Sequence, residues 1–329
     1  MRAYRQSANA TMNLISTNEC MWNARRAGSV IPAFNIPYLP VMEPIITALR
    51  DVDSFGLIAV ARPEWMKFGA QSPRAVYEEY QRVKDERLTR LHLDHVPVID
   101  EDNLKVDYEA IILEAIQLGY QSVMVDGSRL PLERNIQATR RVVQMAHAAG
   151  IPVEGELGAV FGHENGPLPS YEQLFATGKG FTAPEDAKRF VSETEVDWLS
   201  VAVGNVHGAV SRIARHDKKV EARLNLEHLE RIYKAVGIPL VLHGGSGIKK
   251  KCIWGAVQRG VAKINIGTVI RQQYEKCVKK SLEAGQKAVY EATVRVLTEE
   301  LRLQGSRHLI NPDRSQNLPL KVARTNSPM

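Results

Sequence analysis

Three histidines, His95, His207 and His243, each end or follow a separate apolar run of the chain. An imidazole in a segment such as Leu240-Val-Leu-His243 is costly to bury unless it is paired or bound to metal. Three of them on three strand ends can converge on one point, as a catalytic zinc ion with an open fourth position requires. Asp94 stands next to His95 in Leu91-His-Leu-Asp-His95. A carboxylate beside a metal ligand suits general acid/base work on a hydroxyl next to a bound carbonyl. The plainer role is to orient a histidine, which His92 can fill instead. Strict alternation puts His92 and Asp94 on one face and His95 on the other. A strand end or a bulge is therefore needed to bring Asp94 and His95 to one site.

A second constellation binds anions. His243-Gly-Gly-Ser-Gly247 precedes Lys263-Ile-Asn-Ile-Gly-Thr268, so two glycine-bearing loops follow two successive apolar runs. Backbone N–H groups exposed by such glycines, with the hydroxyls of Ser246 and Thr268, form a phosphate cradle. A GGSG run alone is only a turn; its pairing with the next loop makes the signal specific.

Positioning these residues takes a repeating scaffold. Eight short runs rich in β-branched residues read as strands: Ser29–Asn35, Leu57–Arg62, Thr89–His95, Ser122–Asp126, Val153–Leu157, Trp198–Val203, Pro239–His243 and Lys263–Ile266. Between them lie helical patterns, among them Tyr108–Leu118, Leu132–Ala149, Ala183–Glu193, Leu226–Val236 and Cys252–Arg259. Near-continuous apolar strands alternating with helices predict a parallel sheet, and eight units closing on themselves predict a (β/α)8 TIM barrel in the α/β class. The open doubly wound sheet is the alternative. Ser72-Pro73 and the box Thr182-Ala-Pro-Glu185 predict helix starts, and Gly150 and Gly237, each followed by Ile-Pro, predict helix ends. Residues 1–28 read as an extension packed on the barrel, 29–310 as the barrel with C-terminal helices (one long helical region over Tyr274–Leu301), and 311–329 as a polar tail. In such a barrel the chemistry sits at the strand C-termini. Asn35, Asp126, Glu156 and Asn205 fall there beside the histidines, Asp94, Asn265 and Thr268.

The bulk numbers narrow the setting. The 329 residues carry 43 basic and 37 acidic side chains, a net charge of +6. The basic residues are scattered without aromatic interleaving, which argues against nucleic acid and suits attraction of a phosphorylated metabolite. No apolar run is long enough to span a membrane, and the N-terminus has no secretory-signal pattern. Three widely spaced cysteines, Cys20, Cys252 and Cys277, fit a reducing cytoplasm.

Together these motifs resemble the class II fructose-bisphosphate aldolases, in the wider group of zinc-dependent ketose-bisphosphate aldolases. The resemblance runs from Ile31 to Thr268 and is carried by Pro32-Ala-Phe-Asn35, His92-Leu-Asp-His95, Val125-Asp-Gly-Ser128, Glu154-Gly-Glu-Leu-Gly158, Gly204-Asn-Val-His-Gly208, His243-Gly-Gly-Ser-Gly247 and Lys263-Ile-Asn-Ile-Gly-Thr268. It implies Zn2+ on His95, His207 and His243, with Glu156 able to approach the metal and a monovalent cation as a second candidate ion. Asp94 is implied as the proton donor to the C4 oxygen, Asn265 as a support for the enediolate, and Glu164 as a mobile-loop acid. Gly208, Gly244, Ser246 and Thr268 are implied as phosphate ligands, with Asn35 and Gly267 beside them at the strand ends. The resemblance also implies a homodimer or homotetramer acting on a small sugar phosphate.

Departures from the family pattern bear on substrate. Arg62 ends strand 2 where a small serine is usual, and its guanidinium can fork onto a carboxylate or phosphate; a salt-bridged structural role is the alternative. Gly267 stands where fructose-cleaving members often carry an aspartate, Val269 where another acid is common, and His163 beside Glu164 where glycine or glutamate is frequent. Reaction class is therefore better specified than sugar, with a tagatose bisphosphate or an acidic sugar phosphate as alternatives. Two rivals are a metal-free phosphate-binding isomerase or synthase and a non-catalytic relative. Lys263 is the lysine that a Schiff-base mechanism would need.

Overall fold

The computed structural model describes residues 14–158, 171–205, 223–245, 248 and 250–313. Eight parallel strands close into a barrel in chain order: β1 Ile31–Asn35, β2 Gly56–Ala61, β3 Thr89–Pro97, β4 Ser122–Asp126, β5 Val153–Leu157, β6 Trp198–Val201, β7 Leu240–Leu242 and β8 Val261–Ile266. The helices are α1 Thr17–Arg26, α2 Met42–Asp51, α3 Arg62–Lys67, α4 Pro73–Val83, α5 Tyr108–Leu118, α6 Leu132–Ala148 and α7 Tyr171–Thr177. They continue with α8 Pro184–Thr194, α9 Leu226–Val236, α10 Lys250–Val257, α11 Thr268–Cys277, α12 Leu282–Arg295 and α13 Arg307–Ile310. The (β/α)8 expectation holds. The strands are buried along their length, except at His95 and Asp126, because helices cover their outer faces, as the continuous apolar runs require.

The bottom of the barrel is closed by α1. Ser16 caps it, accepting from the Glu19 amide while Glu19 reaches back to the Ser16 amide. Its residues bond to the entry side of the strands: Thr17 to the Gln121 carbonyl before β4, and Asn18 to Asp197 and to the Trp198 indole at β6. Cys20, Met21 and Ala24 of α1 pack on Ile31, Leu57, Trp198 and Val241. Burying this apolar face at about 25 cal/mol per Å² seals one end and leaves the other for chemistry.

Two expectations need correction. Thr182 does not cap α8, whose N-cap is Ala183 with no side-chain bond. The Thr182 hydroxyl donates to the Leu157 carbonyl and accepts from the Ala202 amide, tying β5 to the segment after β6. The long C-terminal helix is broken: α11 ends at Cys277 and Ser281 caps α12 by accepting from Ala284. A Cβ on Gly285 of α12 would meet Tyr274 and Val278 at 3.0–3.1 Å, so the glycine permits a hairpin that a straight helix would not form. Ser72 caps α4 as expected, accepting from Ala75 with Pro73 in the first turn.

Candidate active site

Bulge geometry decides the centre of the mouth. Between Leu93 and Val96 the register of β3 against β4 slips, three steps on β3 matching two on β4 (Val123 to Val125). His95 sits at this irregularity with φ of +35°, a conformation that L-residues rarely hold without surrounding constraint. The extra residue turns His95 onto the same side as Asp94, as the alternation of this segment demanded. The His95 and His243 rings meet edge to face, centroids 4.2 Å apart. Donor atoms of Asp94, His95 and His243 lie within 4.8 Å of one another, and so do those of His95, Asp126 and Glu156.

Asp94 is fully buried and held on one side. Its Oδ2 accepts from the Asn35 amide at 2.9 Å and the Asn265 amide at 2.8 Å. Its Oδ1 has no hydrogen bond; His92 Nε2 and Lys263 Nζ stand 3.5 Å from it. Burial pushes the carboxyl up, but the Lys263 ammonium and the His92 contact outweigh it and hold Asp94 well below the usual range. It is a carboxylate at neutral pH, with one oxygen outside any hydrogen bond.

Below Asp94 lies a buried polar layer. Glu154 Oε2 is 2.7 Å from Lys263 Nζ and its Oε1 is 2.8 Å from His243 Nε2. His92 Nδ1 faces the Ser122 hydroxyl at 2.9 Å, and Lys263 also faces His92 Nε2 at 3.3 Å. Lys263 is wholly enclosed in this layer and does not line the cleft. Its ammonium compensates Glu154 and Asp94, a different task from forming a Schiff base. Asn205, placed at a strand end from sequence, bonds the His243 carbonyl at 3.2 Å.

On the other flank, His95 Nδ1 is 3.4 Å from Asp126 and 3.6 Å from Glu156. Burial lowers His95, but Glu156, Asp126 and Asp94 push it up to about 10. Burial and the neighbouring Asp126 hold Glu156 well above the usual carboxylate range, and its Oε2 has no hydrogen bond. Burial and the charge on His95 bring His243 down to about 4. Two imidazoles, clustered carboxylates and two orphaned carboxylate oxygens make a donor set that fits a divalent cation.

The cleft above is lined by Asn35, Gly244, Asn265, Gly267 and Thr268 together with Asp94, His95, Asp126 and His243. Gly244 has φ of +73°, a turn that favours glycine. Thr268 opens α11 behind Gly267, so the positive end of a helix dipole faces the cleft where an anion is expected. A Cβ on Gly267 would stand 3.6 Å from Asn35, an ordinary contact, so its bare backbone widens the cleft and is not forced by packing. Glu156 lies behind His95 and does not line the cleft. His207, Gly208, Glu164 and Ser246 lie outside the described residues.

Arg62 goes elsewhere. It opens α3, its Nη1 is 3.2 Å from Asp100 Oδ2, and it is absent from the lining. Glu64, Glu101, Arg129 and Arg271 do line the cleft and were missed in the sequence. Glu64 carried a usable signal, since it lies three residues beyond the end of β2, at the catalytic mouth. Glu154 carried another: it precedes Glu156 by two, so it points to the same face one layer lower.

The family model for fructose-bisphosphate aldolase class-II matches residues 15–308. Among solved structures, the YdjI aldolase from Escherichia coli K12 is 27% identical, covers 89% of this chain and 99% of its own, and superposes with a TM-score of 0.69. Fructose-bisphosphate aldolase from Campylobacter jejuni superposes with a TM-score of 0.68 at 21% identity, covering 88% of this chain and 96% of its own. That second likeness speaks for the barrel alone.

Proposed function

The chain belongs to the class II fructose-bisphosphate aldolase family, and from that premise we propose that it is a zinc-dependent lyase. It cleaves a ketose phosphate reversibly to dihydroxyacetone phosphate and an aldehyde. The observation that carries this is the state of Asp94: ionised, gripped on Oδ2 by Asn35 and Asn265, without a hydrogen bond on Oδ1, and with a carboxylate oxygen within 4.8 Å of donor atoms of His95 and His243.

A divalent ion held by His95 and His243, with His207 as the third ligand, would polarise the ketone as a Lewis acid. Every proton movement then falls to the chain. Asp94 takes the C4 hydroxyl proton as the C3–C4 bond breaks, the C4 oxygen becomes the aldehyde carbonyl, and the bonding pair is left as an enediolate. In the reverse direction Asp94 returns that proton. The Asn35 and Asn265 amides keep the carboxylate oriented, worth part of the about 10²–10⁴-fold that general acid/base catalysis contributes. Glu164 is proposed to protonate the enediolate carbon once the aldehyde has left. The Gly244 and Gly267 backbones, the Ser246 and Thr268 hydroxyls and the N-terminus of α11 would anchor the phosphate. A cytoplasmic homo-oligomer fits the same reading. No helix among the described residues is long and apolar enough to cross a membrane.

The test is a cleavage assay over ketose mono- and bisphosphates, with and without chelator and with metal analysis of the purified protein. Cleavage that stops on chelation and returns with zinc is expected. Turnover by metal-free protein, indifferent to chelator, would remove the basis for this assignment.

A further inference from the structure

Glu64 lines the cleft, yet nothing in the mechanism above uses it. It is the third residue of α3, and β2 delivers it over the site: Ala61, the last residue of β2, pairs in register with Asp94. Its Oε2 accepts from the Ala61 amide, a reach back across the first turn that fixes the side chain. Its Oε1 has no hydrogen bond among the described residues. Pro63, Phe68, Pro97 and Ile99 share the lining with it, and Glu101, Arg129 and Arg271, the last with its guanidinium over the Phe68 ring, are further charged side chains there.

Substrate orientation follows from the opposite wall. The phosphate end belongs at Gly244, Gly267 and Thr268, on the β7–β8 side. The carbonyl and C4 hydroxyl belong at His95, His243 and Asp94. What remains of the substrate, the half released as aldehyde, then lies against the β2–β3 wall where Glu64 stands.

We propose that Glu64 binds a hydroxyl group of the aldehyde half of the substrate, so that polyhydroxylated aldehydes are selected over their deoxy counterparts. This rests on the aldolase reading above. Oε1, the oxygen left over from the Ala61 contact, shares a hydrogen bond with a sugar hydroxyl while Oε2 stays on Ala61. A deoxy aldehyde leaves Oε1 without that partner, and sites built to hydrogen-bond a hydroxyl reject analogues that lack it.

The experiment is aldol addition of dihydroxyacetone phosphate to two aldehyde pairs, glycolaldehyde against acetaldehyde and glyceraldehyde against 2-hydroxypropanal, read as kcat/KM ratios. The wild type is expected to favour the hydroxylated member of at least one pair by about 10-fold or more. Glu64→Ala and Glu64→Met, the second filling the volume without a donor, bring that ratio towards one. Glu64→Gln keeps the acceptor for Ala61 and a second polar atom for the hydroxyl, and retains the preference. A wild-type ratio near one, or a ratio unchanged in the alanine or methionine variant, overturns the role of Glu64 while leaving the aldolase reading intact. Solvent exchange of the dihydroxyacetone phosphate α-proton by the wild type needs no aldehyde. If neither that exchange nor any addition occurs, the aldolase reading fails and takes this role with it.

Discussion

Glu154 Oε1 lies 2.8 Å from His243 Nε2, and this contact decides which nitrogen of His243 faces the site. A neutral imidazole donates from Nε2 to the carboxylate, which makes Nδ1 the lone-pair nitrogen. A carboxylate behind a histidine fixes ring and tautomer in this way in metal sites generally. Burial works against the charge on Glu154, but Lys263 and His243 hold it down to about 2.

Lys263→Met should be severely destabilising. It strands Glu154 in the barrel interior, and breaking a buried pair from one side costs about 3–5 kcal/mol. Urea unfolding measures it. The double variant Lys263→Met/Glu154→Leu should recover part of the loss; a double variant as unstable as the sum of the singles would show that the two groups do not interact.

Asp94→Ala should lower kcat by about 10²–10⁴-fold while zinc content stays near that of the wild type. Turnover within a factor of three of the wild type would remove Asp94 from the proton path.

Arg62→Ser tests a choice that the sequence left open. Its guanidinium is engaged by Asp100, which is buried and also bonds the Asp102 and Leu104 amides. The expected result is a loss of about 1–3 kcal/mol in stability, with the ratio of rates on different sugar phosphates unchanged. A shifted ratio would return Arg62 to substrate binding.

Stability should fall as pH rises through the range where Glu64 ionises. The unfolded chain loses this proton near 4.5 and the folded one near 8. The protonated state's contribution is therefore whole below pH 4.5 and is lost as pH climbs towards 8. Unfolding free energies between pH 5 and pH 9 should slope less steeply for Glu64→Gln than for the wild type. Parallel curves would place the ionisation elsewhere.

Thiol chemistry offers an independent check on the bottom plug. Burial pushes Cys20 up to about 12, whereas Cys252 and Cys277 are partly exposed. Iodoacetamide on the native protein should label only the latter pair, with Cys20 reacting after denaturation; mass spectrometry reads the count.

Most of the fold was legible in the chain itself. β4, β5, α5 and α9 begin and end where periodicity put them, because local apolar spacing and turn residues act within a few positions. The reaction class was legible for a related reason: at the C-terminal ends of barrel strands, a residue's place along its strand already says whether it reaches the mouth. His95, His243, Asp94 and the glycines Gly244 and Gly267 at such places already limit the chemistry.

What only the tertiary structure decided are partnerships between distant segments. The bulge that brings His95 round to Asp94 is set by pairing of β3 with β4. The commitment of Arg62 to Asp100, the enclosure of Lys263 by Glu154 and the posting of Glu64 on the cleft wall all depend on side chains from different strands meeting. Local pattern reports which face a residue occupies. Which charge neutralises it is an energy between groups many residues apart, and that exists only once the barrel has closed.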